Sequence, residues 1–274
     1  MTVSSVCQKA GISRQSYYQG RHRRQRREVD EQLVVDLVAE QRRLHPRLGA
    51  RKLHHLIHGE LAKAGVNVGR DRLFEVLRRR GLLIERLPAD YPCTTNSYHV
   101  LPVFKNLIAD AAVTQPNQVF VSDLTYLRTE EGHLFLSLIT DKKSRKIVGY
   151  HCGDTLEAQG CLRALDMALA ELPDGARPIH HSDRGCQYCC HEYVNRLAER
   201  GLSISMTERN HCAENALAER MNGILKSEYG LGRKLRTKKD ARRLVDQAVE
   251  FYNTRRPHGS LDMQTPSEVH TMVA

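Results

Sequence analysis

The 274-residue sequence predicts an α/β protein: a mixed five-stranded sheet flanked by helices, preceded by an all-α region. Three observations point there. Up to about residue 86 the apolar residues recur at helical spacing, whereas from residue 118 they fall into short runs with strand alternation. Pro88, Pro92, Pro102 and Pro116 punctuate the stretch between. Charge divides at the same place: residues 1–87 hold 19 Lys+Arg against 9 Asp+Glu, a net of +10, and residues 88–274 hold 23 of each.

Taken in order, residues 2–20, TVSSVCQKAGISRQSYYQG, read as two short helices around a turn at Ala10-Gly11, with Ser13 as the second N-cap. That is a helix-turn-helix layout, which offers Arg14, Gln15 and Ser16 to a DNA groove. The basic run Arg21 to Arg27, with Arg23 and Arg24 inside it, suits phosphates or simply water. In residues 28–86, Leu33, Val34, Leu37 and Val38 share a helix face; a second helix resumes near Leu48 after Pro46. NVGRDRLFEVLRRRGLL gives a third, stopped by Gly81, whose Arg70, Arg72, Arg78 and Arg79 again suit DNA. His54, His55 and His58 have metal-like spacing, but no cysteine pair follows nearby, so they read as helix-surface histidines. The expected domains are a basic helix-turn-helix-like segment (1–27), a helical DNA-binding domain (28–86), a linker (87–117), an α/β core (118–254) and a tail (255–274).

Within the core, QVFVSDLTYLR, GHLFLSLITD and RKIVGYHCG read as a three-strand meander. LEAQGCLRALDMALAEL is an amphipathic helix, ARPIHHS a fourth strand, Cys189 to Arg200 a helix and LSISMT a fifth strand. Helices from about Ala213 to Tyr229 and from Lys238 to Asn253 close the order βββαβαβα plus one.

Three acids stand out. Alternation puts Asp123 on the same face as Val119 and Val121 in the first strand, and Asp183 ends the fourth. If those strands are neighbours, the carboxylates meet at one edge of the sheet. On the helix after strand five, Asn215, Glu219, Asn222 and Lys226 form one stripe, opposite Leu217, Met221, Ile224 and Leu225. Three carboxylates held together repel unless a hard divalent cation joins them. From the residues alone Asp141, at the end of strand two, competes with them on equal terms.

Asp123 in SDLTY, Asp183 in HSDRGCQY and Glu219 after 35 further residues resemble the DDE triad of insertion-sequence transposases, OrfB type of the family numbered three. Lys226, the ending FYNTRRPHGSLDMQTPSEV, and the upstream HPRLGARKLHHLI with GVNVGRDRLFEVLRRRGL are similar as well, so the resemblance covers nearly the whole chain. Departures are Glu214-Asn215 where the family has Asp-Asn, and Cys186 where it has serine. The resemblance implies a ribonuclease-H-like (integrase) core and a transposase that cleaves element ends and joins the 3′-hydroxyl to another phosphodiester. It implies Asp123, Asp183 and Glu219 as catalytic metal ligands, two Mg²⁺ or Mn²⁺ ions as cofactors, and Lys226, Asn215 and Asn222 at the DNA. Asp141 then reads as the turn residue of DKKS. Implied partners are double-stranded DNA, a second copy of the chain and an upstream-frame protein.

Competing readings are a metal nuclease that only hydrolyses and a DNA-binding regulator with a silent core. Cys186, Cys189, Cys190, His191, His211 and Cys212 sketch a zinc site, but the adjacent pair favours small thiols. Ser182 lacks a G-x-S-x-G setting, and no Walker A loop calls for ATP. Lys226, Arg233, Lys234, Arg236, Lys238, Lys239, Arg242 and Arg243 suit a DNA track or a solvated face, and Arg255, Arg256 and His258 a contact with DNA or a partner subunit. Thr265-Pro266-Ser267-Glu268 reads as a capping box. With no membrane-length apolar run, no signal-peptide layout at Met1 to Gly20 and scattered cysteines, the expected location is the bacterial cytoplasm, at the nucleoid.

Overall fold

Helix α1 (Val3–Ala10) starts at Thr2, whose side chain accepts the Ser5 amide, and stops at Gly11, whose φ of 66° only glycine adopts at little cost. The computed structural model containing it describes residues 2–85, 101–109, 111–208 and 214–272. They divide into two units, Met1–Leu44 with Leu48–Glu85, and His45–Arg47 with Arg86–Ala274.

In the first unit the Ser13 hydroxyl accepts the Ser16 amide at 3.0 Å, so the expected turn and cap are both present. The next helix departs from expectation. It does not end near residue 20 but runs unbroken as α2 (Arg14–Leu44), so the boundary expected at 27/28 lies inside a 31-residue helix. Gly20 costs a helix only about 1 kcal/mol, and arginine is among the best helix formers. The distal half of α2 buries Val34 and Val38 against α3 (Ala50–Lys63) and α4 (Arg70–Arg79), which contribute Leu53, Ile57, Leu61, Leu73, Val76 and Leu77. His54 is engaged by the Val68 carbonyl at 2.8 Å.

The second unit is built on strands β1 (Val119–Thr129), β2 (Gly132–Asp141), β3 (Ile147–Gly153), β4 (Ile179–Ser182) and β5 (Ser203–Met206). The first three form the expected antiparallel meander, β4 and β5 add in parallel, and the order is β3-β2-β1-β4-β5. Helices α5 (Ala158–Ala170), α6 (Cys186–Cys189) and α7 (His191–Glu199) accompany one apolar cluster, with Phe120, Leu165, Tyr193 and Leu197 at its centre. Gly149 of β3 permits this: an added Cβ would collide with the Ala164 carbonyl oxygen of α5. Helices α8 (Ala216–Glu228) and α9 (Lys238–Thr254) share a second cluster with Leu134, Leu136 and Leu138. The fold is therefore the mixed-sheet α/β architecture the sequence predicts.

Two segments are more structural than their sequence suggests. Of the expected linker 87–117, residues 86–100 and 110 lie outside the described residues. The remainder packs on the core, with Ile108 beside Val119, Val121 and Ala218. The tail 255–274 also joins the core unit. It forms α10 (Pro266–Thr271), whose Thr265–Glu268 capping box is present, and the His270 imidazole Nδ1 lies 2.9 Å from the Ser144 hydroxyl. Arg256, expected at DNA or a partner, is 1% exposed and bonds both Glu228 oxygens at 2.7 and 2.8 Å. A buried guanidinium needs such a bidentate partner.

Candidate active site

β1 is long enough to pair with β2 along its whole length and with β4 over its first residues, Val119↔Ile179 through Val121↔His181. Extending that parallel register two residues sets Asp123 alongside Asp183, just past the end of β4. The two aspartates therefore meet where β4 stops against the middle of the sheet, not at its edge as expected, because β1 is the central strand.

Each aspartate is fixed locally. The Asp123 carboxylate accepts the Leu124 amide at 2.9 Å on Oδ1 and the Asn222 side-chain amide at 2.8 Å on Oδ2. Asp183 Oδ1 accepts the Gly185 amide at 3.0 Å, and Arg184 Nε donates to the Thr207 carbonyl at 2.6 Å, which pins the turn after β4 to the end of β5. Gly185 is crowded: a Cβ there would stand 3.1 Å from Asp183 Oδ1.

The stripe on α8 divides in two. Asn222 is buried on Asp123, and Asn215, 3% exposed at the helix N-cap, donates to the Ser122 carbonyl at 3.1 Å. Both were expected at DNA, and both instead face β1, since an amide sealed at a helix–sheet junction must find its partner there. Glu219 lies one turn before Asn222 on the exposed surface of α8. Lys226 is half-buried, its ammonium 4.7 Å from the centre of the Tyr126 ring. Burial lowers the Lys226 pKa, while Asp123 pulls it back up and Arg128 lowers it.

The electrostatics record the convergence. Burial, then the charge of Asp183 and, less strongly, that of Glu219 raise the Asp123 carboxyl from its ordinary value to about 7, against the lowering hydrogen bonds from Asn222 and Leu124. Among the described residues no three His, Cys, Asp or Glu side chains stand close enough to hold a metal ion. The donors nevertheless fit a hard cation. Asp123 meets Asp183 at a site that disfavours the Asp123 charge, and a third carboxylate, on an exposed helix face, is felt by Asp123.

Behind the aspartates lies a buried polar layer that periodicity missed. His180 Nε2 sits 2.7 Å from the Ser122 hydroxyl and 2.9 Å from the Tyr193 hydroxyl. His181 Nδ1 sits 2.8 Å from the Ser205 hydroxyl, which accepts the Leu107 amide at 2.8 Å. Burial pushes His180 down to about 3 and His181 to about 4. Glu214, the departure from Asp-Asn, accepts from the Asn106 side chain at 3.0 Å and thus ties down the incoming strap. The only advance signal was a pair of histidines in a strand otherwise closed to water.

Other expected site residues are placed as follows. Arg14, Gln15, Arg23, Arg70, Arg78 and Arg79 are exposed, and Arg72 is half-buried. The Arg24 side chain lies outside the description. Arg72 and Arg79 both bond Glu31, at 2.6 and 2.5 Å, and Arg78 stacks 4.9 Å from the Phe74 ring centre. Asp141 accepts the amides of Asn117, Lys143 and Ser144, the structural turn role implied for it. The Cys189 thiol points at Met206 sulfur and the Cys190 thiol at the Gln187 carbonyl, while His211 and Cys212 lie outside the described residues. Lys238 and Arg242 pair with Asp154, whereas Arg233, Lys234, Arg236, Lys239 and Arg243 are exposed. No described helix is long and apolar enough to cross a membrane.

Comparison with known proteins gives this site a context. A family model described as an integrase core domain matches residues 113–212, and a second with the same description matches residues 200–266. A Shigella sonnei protein, the insertion element IS600 uncharacterized 31 kDa protein, is 36% identical over 98% of this chain and 100% of its own length. Transposase InsF for insertion sequence IS3A of Escherichia coli K12 is 32% identical over 94% of this chain and 90% of its own. Among solved structures, a simian T-cell lymphotropic virus intasome in complex with PP2A regulatory subunit B56 gamma superposes with a TM-score of 0.50 at 19% identity. That match covers 81% of this chain and 74% of the viral one, a likeness of fold alone.

Proposed function

The chain belongs to the insertion-sequence transposases of the IS3 family, with an integrase core of ribonuclease-H-like fold, and from that premise we propose that it cleaves element ends and joins the freed 3′-hydroxyl to another DNA phosphodiester. The single observation that carries this reading is the half-buried Asp123, whose carboxyl is raised to about 7 by desolvation and by the charges of Asp183 and, less strongly, Glu219. A carboxylate kept there against its own electrostatics is suited to a divalent cation.

Asp123 and Asp183 would hold Mg²⁺ or Mn²⁺ most directly, and Glu219 would complete the set by turning in from α8. Such ions, when bound, would supply Lewis acidity at the phosphorus and lower the pKa of an attacking water. The chain's own contribution is orientation. Asn222 clamps Asp123 Oδ2 and leaves its remaining lone pairs directed by the strand, while Gly185 holds Asp183 Oδ1. Lys226, braced on Tyr126, offers an ammonium to a phosphate next to the scissile bond. Attack by water and then by a 3′-hydroxyl needs no covalent protein–DNA bond.

The helical unit supplies the grip on duplex DNA, through Arg14, Gln15, Arg70 and Arg78 on its exposed surface. Joining two element ends calls for at least two copies of the chain on DNA, and a separate upstream-frame product is a further expected partner. The test is joining of labelled, pre-cut element ends in Mg²⁺. Wild type should join them, and Asp183→Asn should bind the same DNA yet lose joining by about a thousand-fold or more. Cleavage without joining would mark a nuclease. Unchanged behaviour of Asp183→Asn would mark a DNA-binding regulator.

A further inference from the structure

The helical unit holds a cleft of about 260 Å³, lined by Arg23, Arg26, Arg27, Asp30, Glu31 and Val34 of α2 and by Asn67, Val68, Arg72 and Val76 at and before α4. We propose that this cleft is a phosphodiester clamp that grips one strand of duplex DNA through Arg23, Arg26, Arg27 and Arg72. It rests on the proposed DNA-joining function and specifies how the helical unit holds its substrate.

Arg23, Arg26 and Arg27 are related as i, i+3 and i+4, so one face of α2 carries all three. Like charges at that spacing destabilise a helix by a few tenths of a kcal/mol per pair. Residues 14–27 contain no acid to offset them. None of the three forms an ion pair among the described residues. Two acids line the cleft. Glu31 is committed to Arg72 and Arg79, and Asp30 alone remains against the three arginines of α2. Contacts with Glu31 and Glu75 also fix the Arg72 guanidinium on the opposite wall, so the cleft presents cations from two sides, with Arg72 held in place by two carboxylates. Planar guanidiniums recognise phosphate oxygens in pairs.

The spacing fits a nucleic-acid strand. From Arg23 to Arg27 the helix rises about 6 Å. Phosphates of one strand advance about 3.4 Å each along a duplex axis, so the row spans about two of them. Val34, Val68 and Val76 form an apolar floor, and Asn67 is the only uncharged polar side chain lining the cleft. The match of the arginine row to phosphate spacing assigns the clamp to the backbone, which positions a duplex without reading its sequence.

The experiment measures duplex binding by fluorescence anisotropy with the full chain. It compares Arg23→Gln/Arg26→Gln/Arg27→Gln with Lys9→Gln/Arg51→Gln/Arg80→Gln, which removes equal charge from exposed positions outside the cleft. All six residues are exposed, so both variants should keep the wild-type circular dichroism. The cleft variant should weaken binding at least about thirty-fold at 0.1 M salt, equally for an element end and a scrambled duplex, and reduce the salt slope by about two. The control should lose only a few-fold, with a slope change below one. Equal losses in the two variants, loss confined to the element sequence, or tighter cleft-dependent binding of duplex RNA would each overturn the clamp. Failure of wild type to bind any duplex would instead strike at the proposed function as a whole.

Discussion

In the helical unit, charge lies outside and in excess: residues 1–87 carry 19 Lys+Arg against 9 Asp+Glu, and most of the arginines singled out there reach solvent. Residues 88–274 carry 23 of each sign, and the side chains proposed for the chemistry are a few carboxylates, of which the half-buried Asp123 of β1 has its pKa raised to about 7. Long-range attraction to a polyanion comes from many exposed cations and is screened by salt, whereas bond chemistry needs a few groups held where water is scarce. Under the proposed function, these two demands fall to separate units of one chain. Charge density is thus a guide to grip, and perturbed burial is a guide to chemistry.

This division is breakable. The largest effect should come from Asp123→Asn, which abolishes joining, by about a thousand-fold or more, and leaves duplex affinity within about two-fold. The same variant should raise thermal stability without metal at pH 8. A carboxyl whose folded pKa lies above its unfolded value stabilises the fold at low pH and loses that contribution as pH rises through about 7, so removing the charge helps most above that pH. Loss of DNA affinity in parallel with activity would show that grip and chemistry are not separate.

Next in size is Asn222→Ala, which removes a hydrogen bond to a charged oxygen, worth about 1.5–3 kcal/mol. Joining should fall roughly ten- to a hundred-fold. Because the Asn222 amide holds the Asp123 pKa down, the acid limb of the rate profile should also move to higher pH. An unshifted limb would reduce Asn222 to packing.

The smallest effect concerns His180, which should affect stability and not catalysis directly. Its folded pKa, about 3, lies below the unfolded value, so its contribution is complete above about pH 6.5 and is lost as pH falls towards 3. Melting temperature against pH should therefore be flatter over that window in His180→Asn than in wild type. Parallel curves would place the acid sensitivity elsewhere.

Much of the core was legible because strands announce themselves. Val119, Val121 and Asp123 alternate, and β1, β2, β4 and β5 lie within a few residues of their sequence bounds. Where β4 would sit was not legible: parallel pairing is a long-range choice, and it moved the acids from the sheet edge to its middle. Periodicity grouped Asn215, Glu219, Asn222 and Lys226 but could not say that the stripe straddles a boundary, with both amides buried on β1 and Glu219 in solvent. Arg256 was misread for a similar reason, since its partner Glu228 lies 28 residues away and a guanidinium is buried only when such a partner exists. The run Arg21 to Arg27 looked like a boundary because it is polar all round. Local propensity favoured helix there, and α2 runs straight through it.

The most direct test concerns Glu219, the acid that stands on an exposed face while its charge reaches Asp123. Labelled pre-cut ends should be incubated with Mg²⁺ and either wild type or Glu219→Gln, with binding of the same ends measured in parallel. Binding should match wild type while joining drops by about a thousand-fold or more. Joining within a few-fold of wild type would contradict a shared cation site.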